Sequence, residues 1–356
     1  MAELTQAERF AQAAQAQDGK TTRSRPWGRY AVRAVLGLVL AYLSLVAGLW
    51  IFQKSMIFRP TPEATLAAAD NGFAPQQAQD LQTTTSDGIT LRGWHITAIG
   101  GLRPDLSKAR LVVLFFTGNR GNRSYRDVKF RRLSALGAEV ICFDYRGYGD
   151  SGGSPSEEGL ALDARAAWDY LRQKNVKPES IVIHGESMGG AVAIRLASEL
   201  SAQKTPPAGL VVEGTFPRLL GVAQRLFPYI PVSLILNQNF PSIDRIGSVE
   251  CPLLMFHGTC DTLVPVVFGR QLFDAAPEAS REIPKKFIEL SDCAHADIGI
   301  EDAKQYDDAL RTFLNAVCPL KNANHLEHHP PGTPRHQKVR PAMNQPDKSP
   351  LAPKPK

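Results

Sequence analysis

Residues 181–197 read IVIHGESMGGAVAIRLA. The apolar run Ile181-Val182-Ile183-His184 has the look of a buried strand, and Ala191, Ile194, Leu196 and Ala197 after it recur at helical spacing. Between them, Gly185-Glu186-Ser187-Met188-Gly189 forms the G-x-S-x-G pattern. In that context it predicts a sharp strand-to-helix turn that lifts a serine hydroxyl above the sheet. The glycines let the chain reverse and let helix pack against strand, and the helix N-terminus faces any negative charge that develops beside Ser187. The five-residue pattern alone arises by chance in about one chain in ten of this length, given the usual glycine content. The strand before it and the helix after it make coincidence much rarer. The plain alternative is a tight turn with an inert serine.

A serine hydroxyl is a weak nucleophile, so it needs a base, and the base needs a third group to fix its tautomer. Two later loops supply these groups. After the apolar run Leu253–Phe256 comes His257-Gly258-Thr259-Cys260-Asp261, and after Phe287–Leu290 comes Ser291-Asp292-Cys293-Ala294-His295. Asp261 is the expected acid and His295 the expected base, each just beyond a strand end. His184 and His257 are better suited to packing strand termini, and the histidines near the C-terminus have no scaffold. A fourth loop, Thr117-Gly118-Asn119-Arg120-Gly121-Asn122, has small residues that let backbone approach a substrate oxygen. The N–H groups of Asn119 and Met188 are the expected oxyanion donors; an ordinary glycine turn is the alternative.

Around these loops, strand-like and helix-like segments alternate. Asp80–Thr85 and Thr90–Ile99 flank the turn Ser86-Asp87-Gly88 and predict a hairpin. Leu111–Phe116 precedes a helix over Ser124–Leu136, which Gly137 stops, and Val140–Phe143 precedes a helix with Leu160, Ala164, Ala167 and Leu171 on one face. Leu210–Glu213, Leu253–His257 and Phe287–Leu290 continue the pattern, with helices over Val266–Ala276 and through Tyr306, Leu310, Phe313 and Val317. This alternation predicts an α/β fold with a mostly parallel central sheet covered by helices on both faces. Function in such sheets gathers at the carboxyl ends of the strands.

Outside this domain, Ala34–Phe52 is a run of 19 residues without a charge. At about 1.5 Å per residue it reaches across most of a hydrocarbon core of about 30 Å, so it predicts one transmembrane helix. A cleaved signal peptide is the alternative, but the run is longer than the roughly 7–15 residues of a signal core and no clear Ala-x-Ala site follows. Lys20, Arg23, Arg25, Arg29 and Arg33 precede the run and only Lys54 and Arg59 follow closely, which predicts a cytoplasmic segment over 1–33 and an extracytoplasmic domain after the helix, periplasmic in a bacterium. The formal charge of +6 gathers before the helix and in the tail, not in one stripe, so nucleic-acid binding is not expected. The five cysteines show no C-x-x-C spacing, and neither a metal nor a cofactor is implied. Residues 319–356, dense in Pro, Lys, His and Asn, predict a disordered tail. His325, His328, His329 and His336 there read as part of a solvated low-complexity segment.

Taken together, these residues resemble the α/β-hydrolase superfamily, in particular its membrane-anchored ABHD-type serine hydrolases with a single N-terminal helix. The resemblance covers Phe58 to Val317, within a domain read as 58–318. Phe143-Asp144-Tyr145-Arg146-Gly147-Tyr148-Gly149-Asp150-Ser151-Gly152 is similar to the family's loop after its fourth strand, and Ile57-Phe58-Arg59-Pro60 to its post-anchor segment. One departure is Thr117-Gly118, where the family's oxyanion loop commonly begins His-Gly. The resemblance implies a lid over 215–246, rich in Leu, Ile, Phe and Tyr, as either an acyl-chain site or core beneath the lid. It implies hydrolysis of an acyl ester or thioester through Ser187, His295 and Asp261. A peptidase or amidase with the same triad, and a non-catalytic membrane scaffold, are the alternatives. In an extracytoplasmic domain Cys260 and Cys293 are placed to form a disulfide tying the acid loop to the base loop; two small buried thiols are the alternative.

Overall fold

The computed structural model of the chain describes residues 5–17, 27–99, 106–300 and 303–319. The expected tail beyond Pro319, with its histidines, lies outside these residues, as do Lys20, Arg23 and Arg25.

Eight strands form one sheet: β1 (Ala78–Thr84), β2 (Thr90–Ile96), β3 (Val112–Phe116), β4 (Glu139–Phe143), β5 (Ile181–Glu186), β6 (Gly209–Glu213), β7 (Leu253–Gly258) and β8 (Lys286–Leu290). Their spatial order is β8-β7-β6-β5-β3-β4-β2-β1. Only β2 runs against its neighbours. The expected α/β sheet is therefore present, parallel from β4 to β8. Burial follows from position in it. β3, β4, β6 and β7 are buried at every residue, as strands covered on both faces must be, while the edge strands β1 and β8 are largely open to solvent.

Helices flank the sheet. In chain order the helices are α1 (Gln6–Gln17) and α2 (Trp27–Ile57), both ahead of the sheet in sequence, then α3 (Asp127–Ala135), α4 (Glu157–Gln173), α5 (Met188–Ala202), α6 (Leu219–Leu226), α7 (Val232–Ile235), α8 (Ile243–Ile246), α9 (Val266–Ala275) and α10 (Ala303–Val317). The two-residue period of β3 divides the core. Val112, Leu114 and Phe116 pack with Leu160 and Trp168 of α4 and Ile194 of α5. Val113 and Phe115 pack with Phe130 of α3 and Leu310 and Phe313 of α10.

Two local expectations are adjusted. β2 ends at Ile96 and not at Ile99, because the N–H of Ile99 turns to the Ser134 carbonyl at 3.0 Å. The helix expected from Ser124 begins as a 3-10 turn over Arg123–Arg126, since the Asn122 side chain accepts the Ser124 N–H at 3.0 Å and caps it.

The helix α2 spans 31 residues, extending the apolar run by Trp27–Arg33 before it and Gln53–Ile57 after it. It is long and apolar enough to cross a bilayer. Leu38, Leu40 and Ile51 are among its exposed side chains, which a helix serving as core would bury. Beyond its end, Arg59–Pro60 pairs in parallel with Arg120–Gly121.

A close backbone contact lies where α5 meets β3. A Cβ on Gly189 would sit 2.3 Å from the Phe116 carbonyl oxygen and 2.4 Å from that of Thr117. Gly189→Ala is therefore expected to cost about 1–3 kcal/mol of stability by overpacking. Chemical denaturation in detergent measures this, and an unchanged midpoint would mean that the helix can withdraw from the sheet freely.

Candidate active site

Ser187 follows β5 with φ +52° and ψ −118°, a left-handed conformation uncommon outside glycine. Such strain, of about 1–3 kcal/mol, persists only where the surroundings enforce it. Here the Ser187 N–H donates to the Glu213 carbonyl on β6 at 2.7 Å, and the Ser187 carbonyl accepts the Gly190 N–H at 2.9 Å.

Asp261 lies beyond β7. Its Oδ1 accepts the backbone N–H groups of Leu263, at 3.0 Å, and Val264, at 2.7 Å. Its Oδ2 is 2.5 Å from Nδ1 of His295, which lies beyond β8. Nε2 of His295 is 3.0 Å from Oγ of Ser187. A carboxylate can only accept, so Nδ1 carries the proton, leaving Nε2 to accept from the serine hydroxyl. Burial works to raise the Asp261 pKa, but the neighbouring His257 imidazole and the hydrogen bonds from His295 and the backbone N–H of Val264 outweigh it and hold the group at about 2. Three residues from three separate loops thus meet in one relay.

His257 and His184 act as braces. Nε2 of His257 donates to the Val264 carbonyl at 2.7 Å and steadies the acid loop. His184 pairs with Glu213 at 2.6 Å, fully buried. The exposed thiol of Cys260 is free, so its disulfide with Cys293 is not formed in the structure; the two loops are joined instead by the Cys260 N–H donating to the Cys293 carbonyl at 3.0 Å.

In the loop after β3, the Gly118 N–H donates to Glu186 Oε1 at 3.0 Å. The Asn119 side chain donates to the Ile57 carbonyl at 2.8 Å, and the Asn119 carbonyl accepts from the Arg59 N–H and the Tyr148 hydroxyl, both at 2.9 Å. These bonds fix the Asn119 side chain and the peptide that follows it. Thr117, where the family commonly has histidine, is buried, and its carbonyl accepts from Tyr145.

A charged cluster beneath the serine was not legible as a site in the sequence. Glu186 pairs with Arg126 and, at 2.9 Å, with Lys129. Lys129 also reaches Glu213, which takes a further hydrogen bond from the Tyr306 hydroxyl. Burial works to raise the pKa of Glu213 from 4.5, yet Lys129 and His184 bring it down to about 2, and Lys129 and Arg126 lower that of Glu186 in the same way. The sequence signals were slight: a carboxylate closing the apolar strand β6, and a lysine on the buried face of α3.

Above the serine is a cavity of about 650 Å³. Ser187, His295, Asn119 and Met188 line it, while Val222, Phe227 and Leu236 and the α2 residues Met56 and Ile57 supply apolar wall. Residues of 215–246 therefore both line the cavity and pack in the core, where Val222, Val232, Phe240 and Ile246 are buried.

Residues 113–282 match the model of the alpha/beta hydrolase family. An uncharacterised protein of Mycobacterium tuberculosis is 36% identical over 289 residues, covering 79% of this chain and 96% of that protein. The chain belongs to the alpha/beta hydrolase family. Within this family it is also 32% identical over 262 residues to the lysophosphatidylserine lipase ABHD12 of Danio rerio, covering 65% of the chain and 68% of the relative. An esterase of Pyrococcus furiosus superposes with a TM-score of 0.56 at 21% identity, over 73% of this chain and 98% of its own, and shares the hydrolase fold.

Lys129 holds two buried carboxylates, so Lys129→Met is expected to destabilise the protein by about 3–5 kcal/mol at neutral pH, measured by denaturant unfolding. The folded pKa of Glu213 lies below its ordinary 4.5, so the stability it contributes is full above that value and is lost as pH falls toward about 2. The wild type should lose stability through that window, and Lys129→Met should lose less. An equally steep acid limb in the variant would contradict the assignment.

Proposed function

We propose that the protein is a membrane-anchored serine hydrolase that cleaves esters or thioesters of acyl, lipid-like substrates. One observation carries this reading: Ser187 Oγ, His295 Nε2, His295 Nδ1 and Asp261 Oδ2 line up at 3.0 Å and 2.5 Å. In the proposed first half-reaction, His295 takes the hydroxyl proton as Ser187 attacks the carbonyl carbon. Ionised Asp261 stabilises the imidazolium. The tetrahedral oxyanion meets the N–H groups of Met188, at the N-terminus of α5, and Asn119; with Gly118 spent on Glu186, Asn119 is the loop's donor. Collapse expels the alcohol or thiol, which takes the proton from His295. Water then loses a proton to His295, attacks the acyl-serine and releases the acid.

The apolar walls of the cavity favour an acyl chain over a polar substrate. The name of the zebrafish relative, a lysophosphatidylserine lipase, supports the same class. The exposed apolar flanks of α2 support the anchor, and the cations before it support a cytoplasmic N-terminus with the hydrolase domain on the opposite side. Protease added outside sealed cells, or outside spheroplasts where an outer membrane is present, should then digest that domain; a domain protected there until lysis would reverse the orientation.

A fluorophosphonate probe should label the detergent-solubilised wild type and not Ser187→Ala. Asp261→Asn should lower kcat for a short acyl ester by about 10³–10⁴-fold, as expected when the histidine tautomer is lost. Labelling retained in Ser187→Ala would place the nucleophile elsewhere, and a folded wild type that neither labels nor hydrolyses would refute the enzyme.

A further inference from the structure

The eleven residues Leu226-Phe227-Pro228-Tyr229-Ile230-Pro231-Val232-Ser233-Leu234-Ile235-Leu236 carry no charge. Their outer side chains are strongly exposed, with Tyr229 at 89% and Leu234 at 83%. An uncharged, exposed, apolar segment of this kind needs a cover. The segment lies against α2. Tyr42 donates its hydroxyl to the Tyr229 carbonyl at 2.8 Å. Gln53, buried although it belongs to α2, donates to the Ile235 carbonyl at 2.9 Å and accepts the Asn237 N–H at 2.9 Å. Tyr42, Val46, Leu49, Gln53 and Met56 share one helical face by their spacing of three and four residues.

This contact fixes a depth. Arg29 and Arg33 keep the first turns of α2 out of hydrocarbon, so a span of about 20 residues runs from Ala34 to the Gln53–Lys54 level. Tyr42 precedes Gln53 by eleven residues, about 16 Å along the axis. A tilt of about 40° still leaves a drop of about 12 Å. The loop bonded to Tyr42 therefore reaches well below the level at which α2 leaves the membrane.

The backbone is equipped for such a place, where unpaired polar groups are costly. Pro228 and Pro231 have no N–H. The N–H groups of Phe227, Ile230, Val232, Leu234 and Leu236 bond to carbonyls within residues 223–232, and α2 side chains take the carbonyls of Tyr229 and Ile235. At the other level, Lys54, Arg59 and Arg120 are exposed around the end of α2, as cations at a headgroup plane would be.

We propose that Leu226–Leu236 inserts into the leaflet surrounding the C-terminal half of α2, so that the cavity above Ser187 opens into lipid and draws its acyl ester from the bilayer. The cavity is oriented for this entry. Phe227 and Leu236 line it from the inserted segment, whereas Arg59 and Asn119 line it at the headgroup level, matching the tail and head of a single-chain amphiphile lying in the leaflet. The inference rests on the anchored hydrolase proposed above and adds a second membrane contact and a route for substrate.

The test uses the full chain in phosphatidylcholine nanodiscs, with Cys260→Ser removing the exposed thiol and an environment-sensitive fluorophore attached at Leu234→Cys or, as a reference within the span, at Leu45→Cys. Both labels are expected to be quenched by doxyl-labelled acyl chains and shielded from aqueous iodide. Iodide quenching at 234 with lipid quenching at 45 would overturn insertion, as would shielding of 234 from both quenchers, the mark of a protein partner. Iodide quenching at both would overturn the anchor and insertion together. Leu234→Glu is expected to slow hydrolysis of a long-chain ester embedded in the nanodisc by about tenfold or more, the cost of a charge in hydrocarbon. Hydrolysis of soluble p-nitrophenyl butyrate should be unchanged and reports that the variant is folded. Equal loss on both substrates would overturn entry from lipid. No hydrolysis by the wild type would refute the hydrolase reading, and with it substrate entry, while the quenching would still decide insertion.

Discussion

The hydrogen bond from the Ser187 N–H to the Glu213 carbonyl joins the turn at Ser187 to the neighbouring strand, and the site depends on that junction. It holds a non-glycine residue at positive φ. It can form only because β5 and β6 run in parallel register to their ends, where Glu186 lies opposite Glu213. The close approach of α5 to the Phe116 and Thr117 carbonyls completes the clamp, since any side chain at position 189 would push the helix away. Strand pairing, helix packing and the position of one hydroxyl are thus one constraint.

Much of this was legible because it is local. The turn at Gly185–Gly190 carries its strand and helix in sequence order, and the loops holding Asp261 and His295 each follow a short strand-like run, buried as β7 and at the sheet edge as β8. Strand order in space was not legible. β4 and β3 exchange places relative to the chain, and β2 reverses, through long-range pairings that no local pattern encodes. The proposed disulfide failed for a related reason: proximity of two loops was inferred correctly for the backbone, but Cys260 points its side chain to solvent.

The charged cluster was hidden because each member looks ordinary alone. Lys129 is one of several cations on a short helix, and Glu186 the variable residue of a turn motif. Their meaning comes from burial together, with Arg126 and Lys129 facing Glu186 and Glu213. Removing one partner strands another, whereas the complete set is balanced in formal charge. One arm of the cluster, Glu186, also anchors the Gly118 N–H, so the same ion pairs that settle the interior help to shape the loop beside the serine.

The side-chain amide of Asn119 caps the last carbonyl of α2, and Asn119 lines the cavity. Solubilising the protein by cutting away everything through Ile57 would therefore do more than release it from a bilayer. It would remove the acceptor that holds Asn119 and two side chains that wall the cavity, Met56 and Ile57. A truncated domain would be a differently tuned catalyst, with a looser loop and a shorter wall, and its substrate preferences would not be those of the whole chain.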